Sequence, residues 1–205
     1  MVKQEFELAY WQSKLGSLLK PRIPIVGFTP TRQQRPKRCL DRSSAWGGIE
    51  NILAEIIERF NVKTDRCLEF GVEYGFSTVA LSSFFDSVIG VDTFEGDRHT
   101  NNIQNIYQET VRTLAQYDNI SLVRSNYQDF IRSDHKQFGL IHVDIIHTFA
   151  DTYACGLWSA QHSQCTIFHD TESFPQVKQA VIEIARNTGK QFHNYEGSYG
   201  LGILV

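Results

Sequence analysis

The fold of this chain depends on the stretch Cys67-Leu68-Glu69-Phe70-Gly71-Val72-Glu73-Tyr74-Gly75-Phe76-Ser77-Thr78. It begins as a short apolar run, which predicts a buried strand, and then passes through two glycines into a helical pattern. Gly71 and Gly75 have no Cβ, so the backbone there can turn sharply and approach a ligand closely. A strand, a glycine turn and a helix N-terminus form the nucleotide-binding corner of an open α/β sheet. The alternative is an ordinary strand-to-helix turn.

Two acidic residues of this stretch indicate what kind of ligand it would accept. The pattern Glu-x-Gly-x-x-x-Gly differs from the Gly-x-Gly-x-x-Gly of dinucleotide-binding proteins. Glu69 and Glu73 bring carboxylates to the corner, where they would repel a pyrophosphate and favour a positive centre. S-adenosylmethionine carries a sulfonium and an ammonium but no phosphate, so it fits this corner better than a dinucleotide.

Length and composition indicate a globular protein of one main domain. The chain has 205 residues, of which 41% are hydrophobic and 12% aromatic, enough for a sizeable core. It has no apolar run of about 18 residues, so we expect no transmembrane helix, and its first residues lack the pattern of a secretory signal. The four cysteines form no Cys-x-x-Cys pair, which favours reduced thiols and a cytoplasmic location.

The segment 20–42 has an unusual composition. It holds seven basic side chains against one acid, and four of the five prolines of the chain. It cannot form a continuous helix, so we divide the chain into an N-terminal helix and basic, proline-rich arm (residues 1–44) and a main domain (residues 45–205). The arm either pairs with the acidic body of its own chain or binds an anionic substrate, nucleic acid or a second subunit. It lacks the aromatic interleaving of single-strand binders, so we expect no nucleic acid.

Strands and helices alternate through the main domain. An amphipathic helix is predicted over 49–60, and a closing β-hairpin over 191–205. Strands are predicted over 66–72, 87–92, 120–124, 138–144 and 165–170, and helices over about 77–85, 102–117, 127–133, 150–162 and 174–186. Such alternation predicts an α/β fold, a mostly parallel sheet with helices on both faces.

Polar side chains follow every predicted strand of this sheet. In sheets of this kind ligands bind beyond the carboxyl ends of the strands. The residues at those ends are Glu69, Gly71 and Gly75; Asp92 and Thr93; Ser125 and Asn126; Asp144 and His147; and His169 and Asp170. Asp92 could accept two hydrogen bonds from the hydroxyls of a ribose, or it could cap a turn at the strand exit. Five polar strand ends together predict a binding site.

Four segments resemble a known family. Residues 68–78, 88–96, 143–149 and 167–171, in this order, resemble the class I S-adenosylmethionine-dependent methyltransferases. More narrowly, they resemble the small-molecule O-methyltransferases related to the macrocin and cephalosporin-pathway enzymes, with Asp92-Thr93-Phe94-Glu95-Gly96 as the most specific piece. The resemblance covers about residues 45–205. It implies a Rossmann-like fold with a mostly parallel seven-stranded sheet and a C-terminal antiparallel hairpin.

The resemblance also implies roles for individual residues. The cofactor S-adenosylmethionine would contact Glu69, Gly71, Glu73, Gly75, Ser77, Asp92, Thr93, Ser125, Asn126 and Asp144. In metal-dependent members the acids that end the fourth and fifth strands hold a divalent ion, usually Mg²⁺, and Asp144 and Asp170 match them. Here the second acid after the fourth strand is absent, and His169 replaces the first acid after the fifth. Histidine suits Mn²⁺ or a softer ion better than Mg²⁺, so metal dependence stays open.

Two histidines are candidates for the chemistry itself. His147 and His169 could each act as the general base for a substrate hydroxyl, beside Asp144; His169 could instead bind metal, and His147 could cap a helix. We therefore predict an O-methyltransferase that acts on a hydroxyl of a small molecule, by resemblance a sugar or natural product. We expect no membrane partner, and a possible role of the arm is to join two copies. The alternatives are a nicotinamide-dependent reductase and a non-catalytic protein that binds the cofactor or a partner.

Overall fold

The structure is a computed structural model that describes residues 7–97 and 102–205. The helices are α1 (Leu8–Ser17), α2 (Leu53–Arg59, preceded by a 3-10 turn over Ile49–Ile52), α3 (Phe76–Leu81), α4 (Tyr107–Leu114), α5 (Tyr127–Ser133), α6 (Phe149–His162) and α7 (Pro175–Thr188). The strands are β1 (Ile25–Gly27), β2 (Arg66–Phe70), β3 (Ser87–Asp92), β4 (Gly96–Asp97), β5 (Asn102–Ile103), β6 (Ile120–Arg124), β7 (Phe138–Val143), β8 (Ser163–His169), β9 (Phe192–Tyr195) and β10 (Leu201–Leu204).

The main sheet confirms the predicted α/β architecture. Its strand order is β1-β9-β10-β8-β7-β2-β3-β6, and the neighbours from β8 to β6 are all parallel. The last strand, β10, runs antiparallel to both β8 and β9, which forms the predicted C-terminal hairpin. Among the described residues the sheet has eight strands, not seven, because β1 of the arm pairs parallel with β9.

One predicted element differs in kind. The helix expected over 102–117 begins only at Tyr107, and Asn102–Ile103 pairs with Gly96–Asp97 as a small antiparallel ribbon. The backbone here folds back on the loop after β3, with Ile106 N–H donating to the Phe94 carbonyl at 3.0 Å. These tertiary hydrogen bonds outweigh the helical periodicity. The N-terminal helix runs over Leu8–Ser17, and the part of its prediction before residue 7 lies outside the described residues.

Alternate residues of the central strands build two cores. Cys67 and Leu140 belong to the cluster under α2 and α3, whereas Leu68 and Ile141 belong to the cluster under α6 and α7. This alternation is the period of a strand that is buried on both faces. Helices therefore cover both faces of the sheet. Its carboxyl edge stays uncovered, and side chains from several strands can converge there. None of the helices in the described ranges has the length and apolarity that a bilayer crossing requires.

The arm lies along the body of its own chain. Its ion pairs are Lys20–Glu183 at 3.4 Å, Arg32–Glu58, Arg38–Asp118 at 3.6 Å and Arg42–Glu109 at 3.1 Å. Four of the seven basic side chains of the segment 20–42 are thus paired with acids of the main body, as the first alternative for the arm predicts. Exposed pairs contribute little each, and the arm is also held by the pairing of β1 with β9, by Phe28 buried in the core, and by hydrogen bonds from Thr31 to Glu55.

The exits of β2 and β7 approach each other closely at Gly71. This residue has φ +88°, and a Cβ built on it would lie 1.7 Å from the carbonyl oxygen of Asp144. The Asp144 N–H also donates to the Phe70 carbonyl at 2.8 Å. Only glycine fits here, and the contact fixes where the backbone leaves both strands.

We expect Gly71→Ala to destabilise the protein strongly. The left-handed backbone alone should cost about 1–2 kcal/mol, and the contact with a backbone oxygen should bring the loss of unfolding free energy to at least about 3 kcal/mol. The matched control is Gly189→Ala, which has φ +73° but no atom within 4 Å of the added Cβ. Urea denaturation would measure both, and equal losses for the two variants would show that the close approach does not matter.

Candidate active site

A cavity of about 870 Å³ opens along the carboxyl edge of the sheet. Residues 43–46 form part of its wall, opposite the ends of the parallel strands. The predicted site residues that line it are Gly71, Glu73, Ser77, Asp92, Thr93, Ser125, Asn126, Asp144, His147, His169 and Asp170. The strand order therefore brings side chains from five separate segments to one site. Glu69 and Gly75 are not on its wall.

The Asp92 carboxylate holds two loops at once. Its Oδ2 accepts from the N–H groups of Val72 and Glu73, each at 2.8 Å, and its Oδ1 accepts from the Phe94 N–H at 2.7 Å. A carboxylate has about four lone-pair positions, so one remains for a ligand. Asp92 thus acts as the turn cap that the sequence allowed, and a ribose contact would use the remaining position.

Glu69 lies behind the cavity wall rather than on it. Its carboxylate is fully buried, with Oε1 2.8 Å from Nδ1 of His142 and Oε2 accepting from the Thr78 hydroxyl. Trp46 Nε1 donates to Nε2 of His142 at 3.1 Å. An indole N–H can only donate. His142 therefore accepts a hydrogen bond at Nε2 and donates one from its Nδ1–H to Glu69. This chain of four side chains joins Trp46, at the start of the main domain, to the glycine corner, and it engages both carboxylate oxygens of Glu69, a predicted cofactor-binding residue.

The other end of the cavity holds two carboxylates and two imidazoles. His147 Nε2 lies 3.4 Å from Asp144 Oδ1 and 3.2 Å from Asp170 Oδ2. His169 Nδ1 lies 3.2 Å from Asp144 Oδ2 and 3.4 Å from Asp170 Oδ2. We call Asp144, His147, His169 and Asp170 the acid–histidine cluster. Its members come from the ends of β7 and β8, as predicted.

Charge and burial act against each other in this cluster. Burial alone would raise the pKa of Asp144, but the neighbouring His169 and hydrogen bonds from both histidines hold that pKa well below its usual range. Burial likewise would lower the pKa of His169, but the charges of Asp144 and Asp170 raise it. The pKa of Asp170 is raised, by burial first and by the Asp144 charge as well. One carboxylate thus stays ionised beside a second that binds protons more readily.

The donor atoms of the cluster fit a bound cation. Asp144, His169 and Asp170 each present one donor atom, all within 4.8 Å of one another. The remaining nitrogen of His169, Nε2, lies 3.2 Å from the Ser198 carbonyl and donates to it, because a carbonyl can only accept. In neutral His169, Nδ1 is then an unprotonated nitrogen that faces two carboxylates. These three groups could hold a cation, or a proton on His169 Nδ1 could be shared with the carboxylates.

Backbone conformation sets the direction of Asp170. It has φ +65°, which is uncommon outside glycine and tolerated best by Asn and Asp. Its carbonyl accepts from the N–H groups of Ser173 and Phe174 in the turn that starts α7. Left-handed residues cluster at functional sites, and this one points a carboxylate back over the end of β8.

Sequence reasoning missed several side chains on the cavity wall. Asp151 accepts from the Tyr127 hydroxyl at 2.8 Å, Phe174 packs on His147 with the ring centroids 4.2 Å apart, and Tyr199 lies across from His169. The only signal for Tyr199 was the turn pattern around residues 196–198. Arg42 closes the arm over the corner, with its guanidinium 3.3 Å from the centroid of the Tyr74 ring.

Comparisons with known proteins agree with this geometry. The profile of a family described as "Methyltransferase domain" matches residues 68–171, about half of the chain. No curated protein sequence matches the chain.

Solved structures share the fold at low sequence identity. The O-methyltransferase NovP is similar with TM-score 0.60 and 15% identity over 73% of this chain and 74% of that one. An O-methyltransferase from Bacillus cereus in complex with SAH has TM-score 0.52 and 12% identity over 100% and 93% of the two chains. Aeropyrum pernix fibrillarin with natively bound S-adenosyl-L-methionine has TM-score 0.51 and 12% identity over 70% and 67%. Such identities establish likeness of fold alone.

We expect Glu69→Ala to destabilise the whole domain. It would leave the buried Nδ1–H of His142 and the Thr78 hydroxyl without their acceptor, and each buried donor left unsatisfied costs about 1–3 kcal/mol. The matched control is Glu58→Ala, which removes an exposed partner of Arg32 and should change stability by less than about 1 kcal/mol. Thermal and urea denaturation would measure both. If the two variants were equally stable, the buried chain of hydrogen bonds would not support the fold.

Proposed function

The chain belongs to the methyltransferase-domain family and is an enzyme that transfers methyl groups, and from this premise we propose that it methylates a hydroxyl of a small molecule with S-adenosylmethionine. The observation that carries the proposal is the single cavity that joins two chemically different ends. The glycine corner with Glu73 and Asp92 lies at one end, and the acid–histidine cluster lies at the other. Similar folds bind S-adenosyl-L-methionine and SAH.

The corner is suited to the cofactor by charge and by space. Gly71 has no side chain that would occupy the cavity at the exit of β2. Glu73 and Asp92 make the electrostatic potential there negative. The cavity continues past Ser125 and Asn126 at the end of β6, where an adenine would fit. A cofactor with a positive sulfur and an ammonium is favoured here, whereas a pyrophosphate would be repelled. This disfavours the nicotinamide-dependent reductase.

When bound, S-adenosylmethionine would supply an electrophilic methyl group: the acceptor oxygen would gain the bond to carbon that the sulfur loses, and the sulfur would leave as a neutral thioether. The side chains of this protein must place the acceptor oxygen and take its proton. Of the two histidines, His147 is the more open to the cavity, 13% exposed against 2% for His169, and the proton would pass to the group that its Nε2 forms with Asp144 and Asp170. Asp144 and Asp170 then stabilise the imidazolium that forms. An open cavity at this cluster disfavours a non-catalytic binder.

A divalent ion is a further part of the proposal. Asp144, His169 and Asp170 would hold it, and it would lower the pKa of the acceptor hydroxyl. The imidazole ligand favours Mn²⁺ over Mg²⁺.

Other parts of the proposal rest on less direct support. The narrower likeness to the macrocin and cephalosporin-pathway group favours a sugar or natural product as acceptor. Burial of Cys67, Cys155 and Cys165 as free thiols favours a reducing, cytoplasmic setting. Self-association through the arm is favoured by an exposed apolar stripe on and after α1, formed by Leu8, Trp11, Leu15, Leu18 and Leu19.

Calorimetric titration with SAH tests the cofactor assignment. We expect wild-type protein to bind SAH with micromolar affinity, which corresponds to about −8 kcal/mol. Asp92→Asn should bind at least about tenfold more weakly. Its amide nitrogen would face backbone N–H groups and loosen the two loops that Asp92 holds, after β2 and after β3. The control is Asp118→Asn, an exposed acid outside the cavity whose partner is Arg38. Absence of any binding heat with SAH, or tighter binding of NADH, would contradict the proposal.

Direct binding of Mn²⁺ tests the metal. We expect the bound-ion signal in electron paramagnetic resonance to weaken at least about tenfold in Asp170→Asn, and Asp118→Asn to bind as the wild type does. Mg²⁺ should compete only at much higher concentration. If neither ion binds the wild-type protein with SAH present, methyl transfer would depend on the side chains of the cluster alone.

A further inference from the structure

The turn between β9 and β10 presents Tyr199 to the cavity on a strained backbone. Ser198, Tyr199 and Gly200 have φ +50°, +67° and +93°, three consecutive left-handed residues. A tyrosine gains nothing from this conformation, since only Gly, Asn and Asp adopt it readily. The side chain of Tyr199 is nevertheless 58% exposed and lines the cavity, so it is not held there by burial.

Hydrogen bonds keep this turn in place against its strain. The Ser198 hydroxyl donates to the Gly47 carbonyl at 2.8 Å, and its carbonyl accepts from His169. The Tyr199 carbonyl accepts from the Glu172 N–H at 2.9 Å. Gly47, the end of β8 and the start of α7 therefore all hold the turn, which fits a surface that must keep its shape.

Two aromatic rings flank the acid–histidine cluster. Tyr199 meets His169 at an interplanar angle of 89° with the centroids 6.4 Å apart, and Phe174 packs on His147 at 31° and 4.2 Å. Ile146, which is also exposed, lines the same cavity. Tyr199 meets His169 edge-on and is exposed to the cavity, so its ring could also contact a flat acceptor that lies beside the cluster.

The charges on the wall restrict the acceptor further. Within the described residues, the wall carries the acids Glu73, Asp92, Asp144, Asp151 and Asp170 but no lysine or arginine. The arm's Arg42 is paired with Glu109 and stacked on Tyr74 instead. No lysine or arginine of this described wall could pair with a phosphate or carboxylate on the acceptor, and the five acids would repel it.

We propose that Tyr199 selects the acceptor and that the acceptor is an uncharged or cationic ring compound that carries its hydroxyl beside an apolar ring face. This inference rests on the proposed function, because it assigns the occupant of the same cavity. A phenolic ring and the C–H face of a sugar ring share this chemistry. The phenol of Tyr199 would touch the acceptor in either case, and the acidic side chains of the wall disfavour an anionic group on it.

Two matched pairs of probes test the inference on SAH-saturated protein. The phenolic pair is 4-methylcatechol and 3,4-dihydroxybenzoate, and the sugar pair is methyl β-glucoside and methyl β-glucuronide. Saturation-transfer NMR would measure their binding. We expect the uncharged member of at least one pair to bind at least about tenfold tighter than its carboxylate partner, and the pair that responds would identify the source of the ring.

Variants of Tyr199 separate selection from structure. Tyr199→Asn removes the ring but keeps a residue that tolerates the left-handed backbone, and it should weaken the binding of the uncharged probe at least about tenfold while SAH affinity is unchanged. Tyr199→Phe should retain most of the probe binding. Trp11→Ala, which removes an exposed aromatic ring outside the cavity, should change neither.

The outcomes distinguish this inference from the proposed function. Failure of SAH to bind would overturn both. Normal SAH binding would leave the proposed function standing, and the inference would still be overturned by equal or tighter binding of the carboxylate probes, by unchanged probe binding in Tyr199→Asn, or by no binding of any probe.

Discussion

The close approach of Gly71 to the Asp144 carbonyl is the constraint on which the site depends. Because no Cβ separates them, the exits of β2 and β7 are in backbone contact. The first exit supplies the cofactor corner, and the second supplies the acid that faces both histidines. The two ends of the cavity are therefore placed relative to each other by backbone packing, which is far stiffer than any side-chain contact. Asp92 extends the same principle, since its carboxylate ties the corner to the loop after β3.

Much of the fold could be predicted because each central strand is a short apolar run between turn residues. The predicted bounds 87–92 and 120–124 coincide with β3 and β6, where burial, propensity and flanking polar residues agree. The positions of Asp144 and Asp170 followed from the same rule, because parallel strands end at one edge. β1 could not be predicted, since three exposed residues form a strand only when β9 is already there.

Glu69 shows why the site was harder to predict than the sheet. A carboxylate at a strand end suggests a ligand contact, but its partner depends on which residue of the neighbouring strand lies beside it. Glu69 is in register with His142 of β7, and the two are buried together with Trp46. Register and the position of Trp46 are tertiary facts that no spacing along the chain encodes. A buried carboxylate needs hydrogen-bond partners, and the partners of Glu69 hold both of its oxygens behind the cavity wall.

The turn that carries Tyr199 was missed for a physical reason. Ser198 and Tyr199 have left-handed backbone conformations, against their local preference. Propensity predicts what a segment adopts when nothing else acts on it, so it fails where surrounding hydrogen bonds impose a conformation. The bonds from Ser198 to Gly47 and from His169 to Ser198 impose it here. Strain of this kind persists only when the structure around it is rigid, and the same rigidity would hold a small acceptor against the cluster.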